Sequence, residues 1–183
     1  MDTDGFWQLI DRAREDSRDD AEIVATKATD LLAELPPEEI IAAQQLLWDQ
    51  LAVSYAAPLW AAAYMINGGC SDDGFDYFRG WLVTQGREVF ERSLADPDTL
   101  AEHPPVRAAA VDWDELECEL TLGIAYKAYK RAAGEPMPQG SWHIRYPALG
   151  GDFWFDFEDS ARLAQKLPRL AALHDQQRVG WHR

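Results

Sequence analysis

The chain has 183 residues, 47% of them hydrophobic and 27% charged, which suits one domain able to bury a core of its own. Its formal net charge is −15, a field that repels phosphate backbones and anionic lipid. Neither nucleic acid nor a membrane is therefore expected to bind through the domain surface.

From the N-terminus, Thr3 or Asp4 can cap a short helix carrying Phe6, Trp7, Leu9, Ile10 and Ala13. A second helix starts near Asp20 and places Ile23, Val24, Ala28, Leu31, Leu32 and Leu35 at helical spacing. Pro36 and Pro37 end it and open a third, with Glu38 and Glu39 in the first turn, where the helix dipole favours them. Pro58 breaks the pattern, and a further helical piece over 59–66 stops at Gly68-Gly69. Ser71 is placed to cap a long helix reaching about Arg92. A short helix starts at Asp96-Pro97-Asp98 and is interrupted at Pro104-Pro105. Asp112 then caps another long helix, ending at Ala133 before Gly134.

Residues 134–152 are rich in Gly and Pro and lose the helical period. Trp142, Ile144 and Tyr146 alternate with polar residues, as do Phe153, Phe155 and Phe157, so a small β-hairpin is expected near 142–157. A last helix follows from about Asp159 to His174, with Pro168 inside it. The expected fold is mainly α: a single-domain bundle of six to eight helices over 1–174, with at most that one hairpin, and a frayed tail over 175–183.

Two cysteines, Cys70 and Cys118, are too few for a disulfide framework. The start, Met1-Asp2-Thr3-Asp4-Gly5, is unlike a signal peptide, and no apolar run approaches the ~18 residues of a membrane span. A cytoplasmic location is expected. Residues 1–40 hold twelve carboxylates against four basic groups, and residues 160–183 hold five basic groups against one carboxylate. The two ends are expected to attract each other within the fold.

The segment GGCSDDGFDYFRGWLVTQGR, residues 68–87, stands out. Capping accounts for Gly68 to Asp73. Beyond them, a helical wheel puts Phe75, Phe78 and Leu82 on an apolar arc with Arg79 and Asp72 at its edge, then Asp76, Gly80 and Arg87 close together. A mid-helix glycine costs about 1 kcal/mol against Ala, so Gly80 answers either a closely packed neighbour or an approaching ligand. Its charged wheel neighbours, Asp73, Asp76 and Arg87, favour the ligand. On the helix expected from Asp112, Glu117 falls on the apolar arc of Leu116, Leu120 and Ile124. A buried carboxylate needs a cation, and Arg79 is the expected partner in a structural ion pair.

The same run, with FWQLI at 6–10, DPDTLAEHP at 96–104, ELECELTLGIAYKAYKRAAGEPMP at 115–138 and LPRL at 167–170, resembles the bacterial "domain of unknown function 4240" family over most of residues 1–173. The resemblance implies a stand-alone helical domain, joined in some relatives to modules linked with nucleic-acid biology or regulation. It carries over no catalytic residues.

No cofactor signature or metal-ligand spacing is present. The four histidines fall in no paired motif, and Asp72, Asp73 and Asp76 lack a calcium-loop frame. Two functions from different classes follow. In the first, Asp72, Asp73, Asp76, Arg79, Gly80 and Arg87 bind a peptide partner or small polar ligand without catalysis. In the second, Asp72, Asp73 or Asp76 acts as general acid or base in a small enzyme, with Arg79 or Arg87 as anion clamp. Cys70 is either a thiol activated at a helix N-terminus or a packed small residue.

Overall fold

A computed structural model describes residues 1–17, 20–112, 114–153 and 155–173. The expected tail at 175–183 lies outside them. The architecture is mainly helical, with no strand among the described residues. Nine α-helices and two 3₁₀ turns are formed there, with a further helical stretch over 168–173, more than the six to eight helices expected, because Gly86 divides one long run and Pro104-Pro105 opens a helix of its own.

The first four helices are α1 (Thr3–Ala13), α2 (Ala21–Ala33), α3 (Pro37–Val53) and α4 (Ala57–Ile66). The cap of α1 is Asp2, one residue before the expected pair, its Oδ1 accepting from Gly5 N at 2.8 Å. Asp20 caps α2 through Ile23 N. Pro58 lies in the first turn of α4 and starts that helix rather than breaking one, since its missing N–H is no loss there.

The long helix expected after Ser71 is two. Helix α5 (Asp72–Thr84) is capped by Ser71 Oγ on Gly74 N, and α6 spans Arg87–Ala95. Between them Gly86 takes φ +85, and a Cβ there would lie 2.2 Å from the Arg14 guanidinium of the α1 end. A 3₁₀ turn (Pro97–Glu102) leads into α7 (Pro104–Asp112), which Pro104-Pro105 opens instead of interrupting.

The helix expected from Asp112 to Ala133 is also absent as one piece. Asp112 ends α7, residues 114–118 are extended, Glu119–Gly123 make a 3₁₀ turn, and only Ile124–Ala133 form α8, closed by Gly134 in the left-handed conformation. Helices α2 and α3 pack on α8, and α5 packs on the 119–123 turn. One continuous core runs from Phe6 through Leu47 and Phe78 to Leu170.

The expected hairpin does not form. Residues 141–153 and 155–157 run as an irregular strap over α3 and α4. Trp142 stacks on Trp48 at 5.2 Å, Tyr146 leans on Tyr55 at 4.7 Å, and Phe157 meets Tyr64 at 5.7 Å. Three of the alternating aromatics thus rest against rings carried by or next to helices, Trp142 and Phe157 half-buried and Tyr146 exposed, and the two runs have no need of each other. Helix α9 (Ser160–Lys166) follows, and Pro168 opens a new helical stretch over 168–173. The buried Asp98 carboxylate accepts from Arg169 N at 3.0–3.1 Å and from Leu170 N at 2.9 Å at the start of that stretch.

The acidic and basic ends do not pair with each other among the described residues. Arg169 faces Asp96, Asp98 and Glu102, while Asp4 meets Arg87 and Asp30 meets Arg131. No described helix is long and apolar enough to cross a membrane.

Candidate functional site

The extended segment 114–118 crosses α5 and builds the site. Leu116 N donates to Asn67 Oδ1 at 3.0 Å, and Cys118 N donates to Tyr77 O at 2.9 Å. Alternate residues of an extended chain share a side. Leu116 and Cys118 accordingly pack toward the core, while Glu115 and Glu117 face a cavity of about 380 Å³. Its other walls are Asn67 to Ser71, Asp73, Gly74 and Tyr77.

Two glycines of α5 make the crossing possible. A Cβ at Gly80 would lie 2.5 Å from Cys118 O, so backbone is pressed onto it. A Cβ at Gly74 would lie 3.1 Å from Glu117 Oε1, so the carboxylate rests over the first turn of α5. Gly80 is therefore not the floor of a polar pocket. Its charged neighbours misled because the group that approaches it is a main-chain carbonyl, which needs no apolar surroundings.

Arg79 is wholly buried and does not pair with Glu117. Its Nη1 donates to Leu51 O at the end of α3, and its Nη2 meets Asp76. The guanidinium lies 4.9–5.3 Å from the ring centres of Phe75, Tyr55 and Tyr146. It closes the C-terminal carbonyls of α3, where the dipole favours a cation. The expected partner of Arg79 was misplaced because residue 117 is not helical. Arg87 belongs to a different surface, bonded to Asp4 and to Glu91 at 2.6 Å each. Asp72 is exposed at the α5 start, Asp76 serves Arg79, and Asp73 alone of the three aspartates lines the cavity.

The electrostatics of the cavity are those of clustered negative charge. The Glu117 carboxyl is raised above its ordinary value by burial and by the neighbouring Glu115. The Tyr77 hydroxyl is raised chiefly by Glu119, with burial and Asp73 adding to it. Burial, reinforced by Glu117 and Glu115, pushes the Cys70 thiol up to about 12, the direction that disfavours the thiolate. Among the described residues no basic side chain pairs with Asp73, Glu115 or Glu117. None of them belongs to a group of three His, Cys, Asp or Glu placed to hold a metal ion.

Asn67, Tyr77 and Glu115 went unread in the sequence. The signal lay in DELECEL, residues 114–120, where Glu115, Glu117 and Glu119 alternate with Leu116, Cys118 and Leu120. That is the period of an extended chain, not of a helix.

The family model described as "Protein of unknown function (DUF4240)" matches residues 1–131. The chain belongs to this family. No curated protein and no solved structure matches it. The cavity, from Asn67 to Glu117, falls wholly within the matched part of this DUF4240 chain, whereas the strap and α9 lie beyond it.

Proposed function

We propose that the protein is a non-catalytic binding module whose acidic cavity holds a cationic group, the ammonium or guanidinium of a peptide or small effector. The observation that carries this reading is the arrangement of Asp73, Glu115 and Glu117 around one cavity with no basic partner among the described residues. A bound cation would counter the burial and the Glu115 repulsion that raise the Glu117 carboxyl. Gly68 and Gly69 leave the rim open, since a Cβ at either would meet nothing within 4 Å. The enzyme alternative has less support. It needs Arg79 or Arg87 as an anion clamp, and the first is sealed in the core while the second is engaged on α6.

The test is a calorimetric titration of the protein with Gly-Lys-Gly and Gly-Glu-Gly. The lysine peptide is expected to bind, more weakly as salt rises, and the glutamate peptide is expected not to. Glu115→Gln with Glu117→Gln should weaken binding about tenfold or more, as loss of charge-assisted contacts does. Equal binding of both peptides, or an unaffected double variant, would end this reading.

A further inference from the structure

The strap raises a separate question, because its hold on the body is unusual. No main-chain hydrogen bond ties residues 142–149 to any helix among the described residues. Instead the Gln45 side chain brackets one residue of the strap. Its Nε2 donates to His143 O at 3.0 Å, and its Oε1 accepts from His143 N at 2.9 Å. A primary amide thereby supplies the donor and acceptor that a neighbouring strand would supply, and it does so without reading the side chain. Specificity comes from rings on either side. Trp142 lies flat on Trp48, with 5° between planes, and Tyr146 fits against Tyr55 and the Arg79 guanidinium.

The strap is also built to part from its seat. His143 to Pro147 are exposed. Gly134, Gly140 and Gly151 take positive φ on either side of it, and Met137, Leu163 and Leu167 anchor the flanks in the core. The segment from 142 to 149 can lift while these anchors stay. It carries His143 and Arg145 and no acid. The seat is acidic on balance: Asp49 bonds Gln45 Nε2 at 2.8 Å, and Tyr55 feels Asp72 and Asp76 as well as Arg79, whose charge Asp76 offsets.

We propose that the face formed by Gln45 and Trp48 of α3 and by Tyr55 just past its end is a docking groove for an extended basic peptide with two aromatic residues four positions apart, and that residues 142–146 fill it in cis. The peptide of a partner protein competes with the strap for the same main-chain bracket and the same two ring sites. The groove is distinct from the acidic cavity, so Glu115→Gln and Glu117→Gln leave it unchanged and the two readings fail separately.

The experiment uses the full chain and a fluorescent peptide spanning residues 140–148. Trp142→Ala with Tyr146→Ala frees the groove, and the peptide should bind this variant about tenfold or more tighter than the wild type, where the strap competes. Adding Gln45→Ala should weaken that binding about tenfold, and a scrambled peptide with its two rings adjacent should not bind. Amide exchange in the wild type gives a second measurement: His143 and Ile144 should exchange much faster than the centre of α3. A folded strap variant that ignores the peptide, or binds the scrambled one as well, overturns the proposal. So does a strap variant that unfolds, or strap amides as protected as those of α3, since the strap is then part of the core. A wild-type dimer that becomes monomeric in the strap variant places a second copy in the groove and also overturns it.

Discussion

Residues 114–118 and the strap at 141–149 both lack regular secondary structure, both alternate in polarity, and both lie across a helix, yet they are held by different means. The first segment crosses α5, which has Gly74 and Gly80 beneath it, and there main chain meets main chain at Tyr77 O and Asn67 fixes Leu116. The second crosses α3, whose sequence from Pro37 to Val53 contains no glycine. Side chains keep the two backbones apart, so Gln45 and a pair of stacked indoles do the holding. A helix thus decides by its glycines whether a crossing chain is locked or merely seated. Locked chain builds a rigid wall for a cavity, and seated chain can exchange.

The largest expected effect is at Arg79, which joins α3, α5 and the strap. Its guanidinium closes α3, pairs Asp76 on α5 and carries Tyr146 of the strap on its face. Arg79→Ala leaves the Leu51 carbonyl and Asp76 unmatched around a void, and a loss of about 3–5 kcal/mol is expected from chemical denaturation. If the loss is below about 1 kcal/mol, the buried cation is not what joins the strap side of the molecule to α5.

Gly80→Leu comes next and tests the locked crossing alone. The Cys118 carbonyl lies where a Cβ would be, and backbone cannot give way as a side-chain tip can. A loss of about 3 kcal/mol is expected, at the upper end of overpacking costs. Gly80→Ala is the sharper comparison. On an open helix that change gains about 1 kcal/mol, so a lowered melting temperature would mark the close approach, and a raised one would show that the crossing chain can shift.

Much of the fold was legible because it follows local rules. Asp20, Pro37 and Ser71 start their helices where the sequence places them, and Gly134 ends α8 as expected. The errors share a cause: one period was extended through residues that obey another. One long helix was carried from Ser71 to about Arg92 through Gly86, although the positive φ of Gly86 divides α5 from α6. Residues 114–118 were read as helix, which set Glu117 opposite Arg79 and hid Glu115 altogether. In the strap a period of two was read as a β-hairpin that does not form, because that period fixes only an alternation of apolar and polar residues. It does not say whether the surface beneath is a strand or a helix, and here it is α3. Of the residues expected at the site, Asp73 reaches the cavity while Arg79, Gly80 and Arg87 are engaged elsewhere, a matter of chain crossing that local pattern cannot convey.

The smallest effect is expected at Glu117, and its sign is what matters. The sequence reading made Glu117 half of a buried ion pair, so that Glu117→Ala would cost about 3 kcal/mol or more. The structure moves that role to Asp76 and leaves Glu117 partly buried beside Glu115 with its carboxyl raised. A carboxyl raised in the fold binds its proton more tightly there than in the unfolded chain. Stability therefore falls as pH rises from the ordinary value of 4.5 through the folded value, and the deficit persists at neutral pH. Glu117→Gln removes it. The variant should be more stable than the wild type at pH 7, by on the order of half a kcal/mol, with the gap closing as pH drops below the ordinary carboxyl range. Melting curves between pH 3 and 8 would show this, and a destabilised variant at pH 7 would mean that Glu117 already has a cation. Adding Gly-Lys-Gly completes the argument. The peptide should raise the melting temperature of the wild type and not that of Glu117→Gln, because only the ionised side chain gains from a bound ammonium. A carboxylate that weakens the empty fold and strengthens the occupied one is a binding residue, whereas one whose removal leaves the ligand-induced shift intact belongs to the wall alone.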